Sequence, residues 1–241
     1  VIVCVDYADF LEVTLPFARG VADDIVVVTA PGDRRTLDVV ARSGVRCIES
    51  TAMREGGRRF SLGAGINAGL QACRLDDWVL VLDADIVLPG TAARRTLETV
   101  GLVPSKLYGI DRVHCRGRAA WDAFAAAERV VRHWEIRWLR DFPMGARIRF
   151  PDDRGYAPCG FFQLWHPRHS GVRDYPVHPA GTAEGSDMLH AERWGRPWRE
   201  HIPEIVAIQL ESDAPDDPVG VNWAGRRTPE FSIERGPYRR L

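Results

Sequence analysis

Along the first hundred residues, short β-branched apolar runs alternate with stretches whose apolar residues recur at helical spacing. Val1 to Val5, Ile25 to Thr29, Val45 to Ile48 and Trp78 to Leu82 read as strands. Between them, Phe10 to Arg19, Arg34 to Ser43 and Gly63 to Arg74 read as helices. In the second of these, Leu37, Val40 and Ala41 share one face and Gly44 follows in a C-cap position. Strand-helix alternation of this kind implies βαβ crossovers, hence an α/β fold with a mixed, mainly parallel sheet flanked by helices. Ligands of such sheets collect at the carboxyl ends of the strands.

The second half has longer irregular stretches and more Trp, Arg, Pro and Gly. A helix is expected from Arg118 to about Leu139, where Trp121, Phe124, Val131, Trp134 and Trp138 make an apolar face. A strand fits Gly160 to Trp165, a helix Glu184 to Trp194 and a last strand Glu204 to Leu210. At 241 residues the chain suits one domain. We divide it into a ligand-binding half, 1–90, and a second half, 91–241, for the partner substrate.

Composition narrows the function classes. The net charge of -1 gives no global field to gather polyanions. No apolar run approaches the roughly 20 residues of a membrane span, and Val1 to Val5, followed at once by Asp6, reads as a buried strand and not a signal peptide. Five widely spaced cysteines without a C-x-x-C pair indicate neither a disulfide framework nor a zinc site, and a reducing cytoplasm fits them.

The sharpest chemical feature is Val79-Leu-Val-Leu-Asp83-Ala84-Asp85-Ile-Val-Leu-Pro89, an apolar strand ending in two carboxylates. Acids beside a core are unfavourable unless something compensates them. A hard cation, Mn²⁺ or Mg²⁺, is the natural candidate, and it commonly takes phosphate oxygens as well.

With Val1-Ile-Val-Cys-Val-Asp-Tyr7, Ile25-Val-Val-Val-Thr29-Ala-Pro-Gly-Asp33, Phe60-Ser-Leu-Gly-Ala-Gly-Ile-Asn67 and Leu82-Asp-Ala-Asp85 in this order, the chain resembles the GT-A glycosyltransferases, most closely those like family 2. That resemblance implies a Rossmann-like GT-A domain using a nucleotide-sugar donor, a UDP-sugar. Tyr7, Thr29 and Asp33 would line base and ribose with Asn67 nearby, and Asp83, Ala84 and Asp85 would meet ribose and metal-diphosphate. Related chains carry F-N-K-G where this one has Phe60-Ser61-Leu62-Gly63, so a positive charge is missing, for which Arg58 or Arg59 is a substitute.

In the second half, Gly155-Tyr-Ala-Pro-Cys-Gly-Phe-Phe-Gln-Leu-Trp resembles an acceptor- and sugar-contacting segment, or is an aromatic core strand. Glu184-Gly-Ser-Asp187 resembles the motif opening the acceptor helix, where the family places its general base. Asp187 is the first choice and Glu184 the second, and both also suit a helix start. The family's further metal ligand, a His on a late strand, is here replaced by Gln209, with His190 and His201 as substitutes. Asn222, Trp223 and Arg226 resemble a loop that folds over the donor.

These roles imply transfer with inversion. A sugar nucleotidyltransferase and a non-catalytic binding module remain alternatives, although the first normally has a Gly-rich basic loop where this chain has Asp6-Tyr-Ala-Asp-Phe. The acceptor is a soluble glycan, a small molecule or a modified DNA base. Between residues 111 and 149, nine Arg and two His face five acids and interleave with Trp121, Trp134 and Trp138, a pattern fitting either nucleic acid or a solvated helix with buried Trp.

Overall fold

The computed structural model describes residues 1–58, 60–126, 156–179, 183 and 185–211. The expected helix beyond residue 126 and the tail after 211 lie outside them. Within them the order is β1 (Ile2–Val3), α1 (Ala8–Ala18), β2 (Val26–Thr29), α2 (Arg34–Ser43), β3 (Arg46–Glu49), α3 (Leu62–Leu70), β4 (Val79–Leu82), β5 (Ile86–Val87), α4 (Thr91–Thr99), β6 (Leu107–Arg116), α5 (Arg118–Ala125), β7 (Phe162–Trp165), α6 (Pro167–Ser170), α7 (Ser186–Ala191) and β8 (Arg199–Glu211).

The N-terminal strands form a parallel ladder in the order β1-β2-β3, and the remainder a ladder β4-β7-β6-β8-β5. Two backbone bonds join them, Val1 N to Leu80 O at 2.7 Å and Leu82 N to Val1 O at 3.1 Å, in the alternation of a parallel pair. The sheet is thus mixed and mainly parallel, as expected, with the uninterrupted run of parallel pairs, β4-β1-β2-β3, in the first half. In the second half β4 with β7, β6 with β7 and β5 with β8 are antiparallel, and only β6 with β8 is parallel. Strand β6 was not foreseen. Its alternate residues Arg112 and His114 are polar because they stand on one face, while Val113 and Cys115 enter the core on the other.

Local chemistry explains the helices. Asp33 caps α2 by accepting from Thr36 N at 3.2 Å, and Gly44 closes it in the left-handed conformation at φ 68°, as its position suggested. Ser61, the residue that departs from the expected F-N-K-G, caps α3 by accepting from Ala64 N at 3.3 Å. At Gly63 a Cβ would lie 2.0 Å from the Pro176 carbonyl oxygen, so glycine there lets α3 lie directly against the chain at Tyr175–Val177.

Beneath that contact, His190 of α7 is fully buried in an aromatic cage. It stacks on Tyr175 with ring centroids 4.3 Å apart and meets Trp165 and Trp194 edge-on at 4.6 and 5.1 Å. Burial, with Arg193 adding to it, pushes its pKa down to about 3. His190 is thus a neutral core ring and does not serve as the substitute metal ligand.

A histidine depressed in the folded state takes up its proton preferentially in the unfolded chain. Stability should therefore fall as pH drops from about 6.5 toward about 3, by about 1.4 kcal/mol per pH unit from this residue. Urea unfolding across that range checks it: His190→Phe should have a flatter acid limb than the parent.

Candidate functional site

Strand β4 leads through a tight turn into β5, and the two aspartates stand in that turn. Asp83 N donates to Phe161 O at 3.1 Å, Ile86 N closes the turn on Asp83 O at 3.2 Å, and Leu210 N of β8 donates to Asp85 O at 2.9 Å. The Ala84 carbonyl accepts from Thr14 Oγ1 of α1 at 2.8 Å. Elements on three sides thus fix this backbone at the carboxyl end of β4, where an α/β sheet presents its ligands.

Both side chains are recessed between the exposed and buried extremes. Burial raises the Asp83 carboxyl pKa well above the usual carboxylate range, the Asp85 and Asp187 charges raise it further, and Arg112 opposes them. Asp85 is raised by burial too, with Glu211 adding, while a bond from Gln209 Nε2 to Asp85 Oδ2 at 3.1 Å and the Arg112 charge counteract. The surroundings are therefore short of positive charge.

Several buried polar atoms here lack a protein partner: Asp85 Oδ1, Gln209 Oε1, Arg112 Nε and His114 Nε2. Such atoms are costly unless a ligand, ion or water meets them. Among the described residues no three His, Cys, Asp or Glu side chains form a metal-binding group. The oxygen donors available are Asp83, Asp85 and the Gln209 amide, a set that suits a hard cation whose remaining positions go to phosphate or water. The residues present fit such an ion.

Asp187, in the first turn of α7, lies on the same side. Its Oδ2 accepts from Gly160 N at 2.9 Å, and its own backbone carbonyl accepts from Gln163 Nε2 at 3.1 Å. Gln163 is in turn held by Tyr175 Oη at 2.6 Å. Arg112, from the middle of β6, lies with its guanidinium 4.4 Å from the Phe161 ring centroid. Sequence reasoning passed over this arginine because its strand was not foreseen.

The residues assigned to the base and ribose are brought to the ends of β1 and β2, but mainly bind one another. Asp33 Oδ2 accepts from Asp6 N at 2.8 Å, Thr29 Oγ1 at 3.1 Å and Thr36 Oγ1 at 2.7 Å. Thr29 is fully buried behind it, and Tyr7 is nearly so, against Phe10. Both ends of the Asn67 amide are taken by Tyr175, Oδ1 by its N at 2.7 Å and Nδ2 by its O at 2.8 Å, so Asn67 braces that loop.

His201 pairs with Asp111 at 3.2 Å near the start of β8, eight residues along the strand from Gln209, which removes it from the aspartate pair. Arg58 is exposed. Glu184, Arg59, Asn222, Trp223 and Arg226 lie outside the described residues, as do Trp134 and Trp138, whereas Trp121 is buried against Phe17 and Phe124. A separate cavity of about 790 Å³ opens at the other end of the strands between Asp23, Asp77 and Trp78, and neither aspartate of the pair lines it.

Among solved structures, the chain is similar to glucosyl-3-phosphoglycerate synthase from Mycobacterium tuberculosis in complex with phosphoglyceric acid. The TM-score is 0.50 and the identity 14%, over 91% of this chain and 73% of that one. What the two chains share is the fold, a mixed, mainly parallel sheet flanked by helices. A second structure of the synthase, with uridine-diphosphate, matches at TM-score 0.48 and 16% identity over 91% and 75% of the two chains. A structure described only as a mycobacterial protein matches at 0.48 and 16%, and this chain spans 65% of its length and is covered over 86% of its own. No family model and no curated protein matches the chain. In this fold the Asp83-Ala84-Asp85 turn sits where the parallel strands give way to the antiparallel ones.

Gly160 offers a test of how tightly Asp187 is held. A Cβ there would stand 2.7 Å from Asp187 Cβ and 3.3 Å from its Oδ2. Gly160→Ala should cost about 1–3 kcal/mol by overpacking, read by chemical denaturation. Unchanged stability would show that Asp187 is not clamped.

Proposed function

We propose that the chain transfers a sugar from a nucleotide-sugar, a UDP-sugar, to an acceptor hydroxyl, with inversion at the anomeric carbon. The observation that carries this reading is the pair of recessed carboxylates, Asp83 and Asp85, both raised by burial, Asp83 also by the Asp85 charge and Asp85 by that of Glu211. Two acids held where charge is unfavourable are poised for a positively charged or phosphate-bridging ligand. Bound there by Asp83, Asp85 and the Gln209 amide oxygen, Mn²⁺ or Mg²⁺ would neutralise the departing diphosphate.

Arg112 supports the same end. Its charge reaches both aspartates, and it stands in for the lysine that Ser61 and Leu62 leave out. Asp187 acts as general base: its Oδ2 stays on Gly160 N while Oδ1 takes the acceptor proton. Its charge reaches Asp83, which supports a position beside the donor site. The first half of the chain, 1–90, holds the donor and the remainder the acceptor.

Hydrolysis of UDP-sugars in the presence of Mn²⁺ gives the first test, and a panel of phosphorylated and sugar alcohols then identifies the acceptor. Asp85→Asn should abolish sugar release, whereas UDP binding without any release by the parent would make the chain a binding module. Asp187→Asn should lower kcat of transfer by about 10²–10⁴-fold, and NMR of the anomeric proton should show inverted product. A retained configuration would remove the base role from Asp187.

A further inference from the structure

Strand β7 is apolar except at Gln163, which is fully buried. An apolar residue would fill that place without the cost of burying an amide, so what the amide adds is its bonds. Its Nε2 donates to Pro158 O at 2.9 Å and to Asp187 O at 3.1 Å, and its Oε1 accepts from Tyr175 Oη at 2.6 Å. The two carbonyls can only accept, which fixes the orientation of the amide and makes the Tyr175 hydroxyl a donor. One side chain thus spans three segments of the chain.

Two of those bonds hold the two sides of a single contact. Asp187 Oδ2 accepts from Gly160 N at 2.9 Å, and Gln163 grips the chain at Pro158, just before Gly160, and at the Asp187 backbone itself. The third bond leads into the first half of the chain. Tyr175 is buried, its N and O are both taken by Asn67 of α3 at 2.7 and 2.8 Å, and its ring stacks on His190 of α7, three residues after Asp187. Burial, reinforced by the charges of Asp187 and Asp83, raises the Tyr175 pKa well above its ordinary value, so the hydroxyl keeps the proton it donates. A buried polar network whose members are paired fixes the spacing of the segments it joins.

We infer that Gln163 is the positioning residue of Asp187: it sets the distance between α7 and the Gly160 segment, so that Oδ2 stays on Gly160 N and Oδ1 is left for the acceptor. Tyr175 Oη orients the Gln163 amide, and Asn67 anchors Tyr175 to α3. This inference rests on the reading of Asp187 as general base. It also gives the paired bonds between Asn67 and Tyr175 a consequence for the reaction, because they join a helix of the donor half to the base of the acceptor half. In this role Gln163 and Tyr175 act only through Asp187.

Amide hydrogen exchange in the full chain, read by NMR, tests the contact directly. Tyr175→Phe removes one hydroxyl and keeps the stacked ring; it should speed exchange at the Gly160 amide about three- to tenfold, and Gln163→Met should speed it further. The Cys4 amide, bonded to Val28 O in the parallel ladder, should not change. Hydrolysis of a panel of UDP-sugars with Mn²⁺, water being the acceptor, gives the second readout. Tyr175→Phe should lower kcat by a similar factor with KM for the UDP-sugar unchanged, and should cost nothing more when Asp187 is already Asn. Unchanged exchange at Gly160 in both variants, an equal rise at Gly160 and Cys4, or a kcat loss that adds in full to that of Asp187→Asn would overturn the positioning role and leave the base reading standing. If Asp187→Asn hydrolyses like the parent, the base reading itself fails and the role of Gln163 falls with it. If the parent releases no sugar, exchange at Gly160 alone decides whether Gln163 holds Asp187. Circular dichroism of each variant separates loss of the contact from loss of fold, and Tyr175→Phe carries the test should Gln163→Met not fold.

Discussion

Two carboxylates are held in a tight turn with too little positive charge around them, and much of the surrounding structure follows from that constraint. The turn cannot relax away from the core. Its backbone is bonded to Phe161 on one side, to Leu210 on the other and to Thr14 beneath. Those three anchors come from the segment before β7, from β8 and from α1. The unfavourable electrostatics are thus imposed by the fold, and Arg112 offsets them only in part. Unmet buried oxygens and nitrogens around the turn have the same cause.

The sheet explains how such a turn arises. A parallel ladder of β-branched strands runs through β4, and the chain then crosses to strands running the other way. At that change of direction the β4–β5 turn, the middle of β6 and the end of β8 bring side chains from three separate parts of the sequence together. Gln163 and Tyr175 then tie α7, and with it Asp187, to the same region through hydrogen bonds of 2.6 and 3.1 Å. Rigidity of this kind suits a site whose groups must be in place before a charged ligand arrives.

The parallel half was legible in the sequence because β1, β2 and β4 are largely buried and read as continuous apolar runs, with β3 as the exposed edge. Helix α2 could be bounded from Arg34 to Ser43, since Asp33 and Gly44 mark its ends by local chemistry. The acid pair was legible for the same reason, as polar residues closing an apolar run. The other half was not. Strand β6 mixes Asp111, Arg112 and His114 with core residues, and its periodicity is hidden by the irregularity between Ile110 and Asp111. Without β6, Arg112 could not be foreseen. Asp33, Thr29 and Asn67 were picked out by their motifs, yet their side chains largely serve the fold: Thr29 bonds Asp33, which caps α2, and Asn67 holds the Tyr175 backbone.

Equilibrium binding of UDP, measured by calorimetry with and without Mn²⁺, bears most directly on the acid pair. The account predicts that Mn²⁺ tightens UDP binding and that the enhancement disappears when Asp83 and Asp85 are both replaced by Asn. Equal UDP affinity with and without the ion, or an enhancement that survives the double replacement, would contradict it.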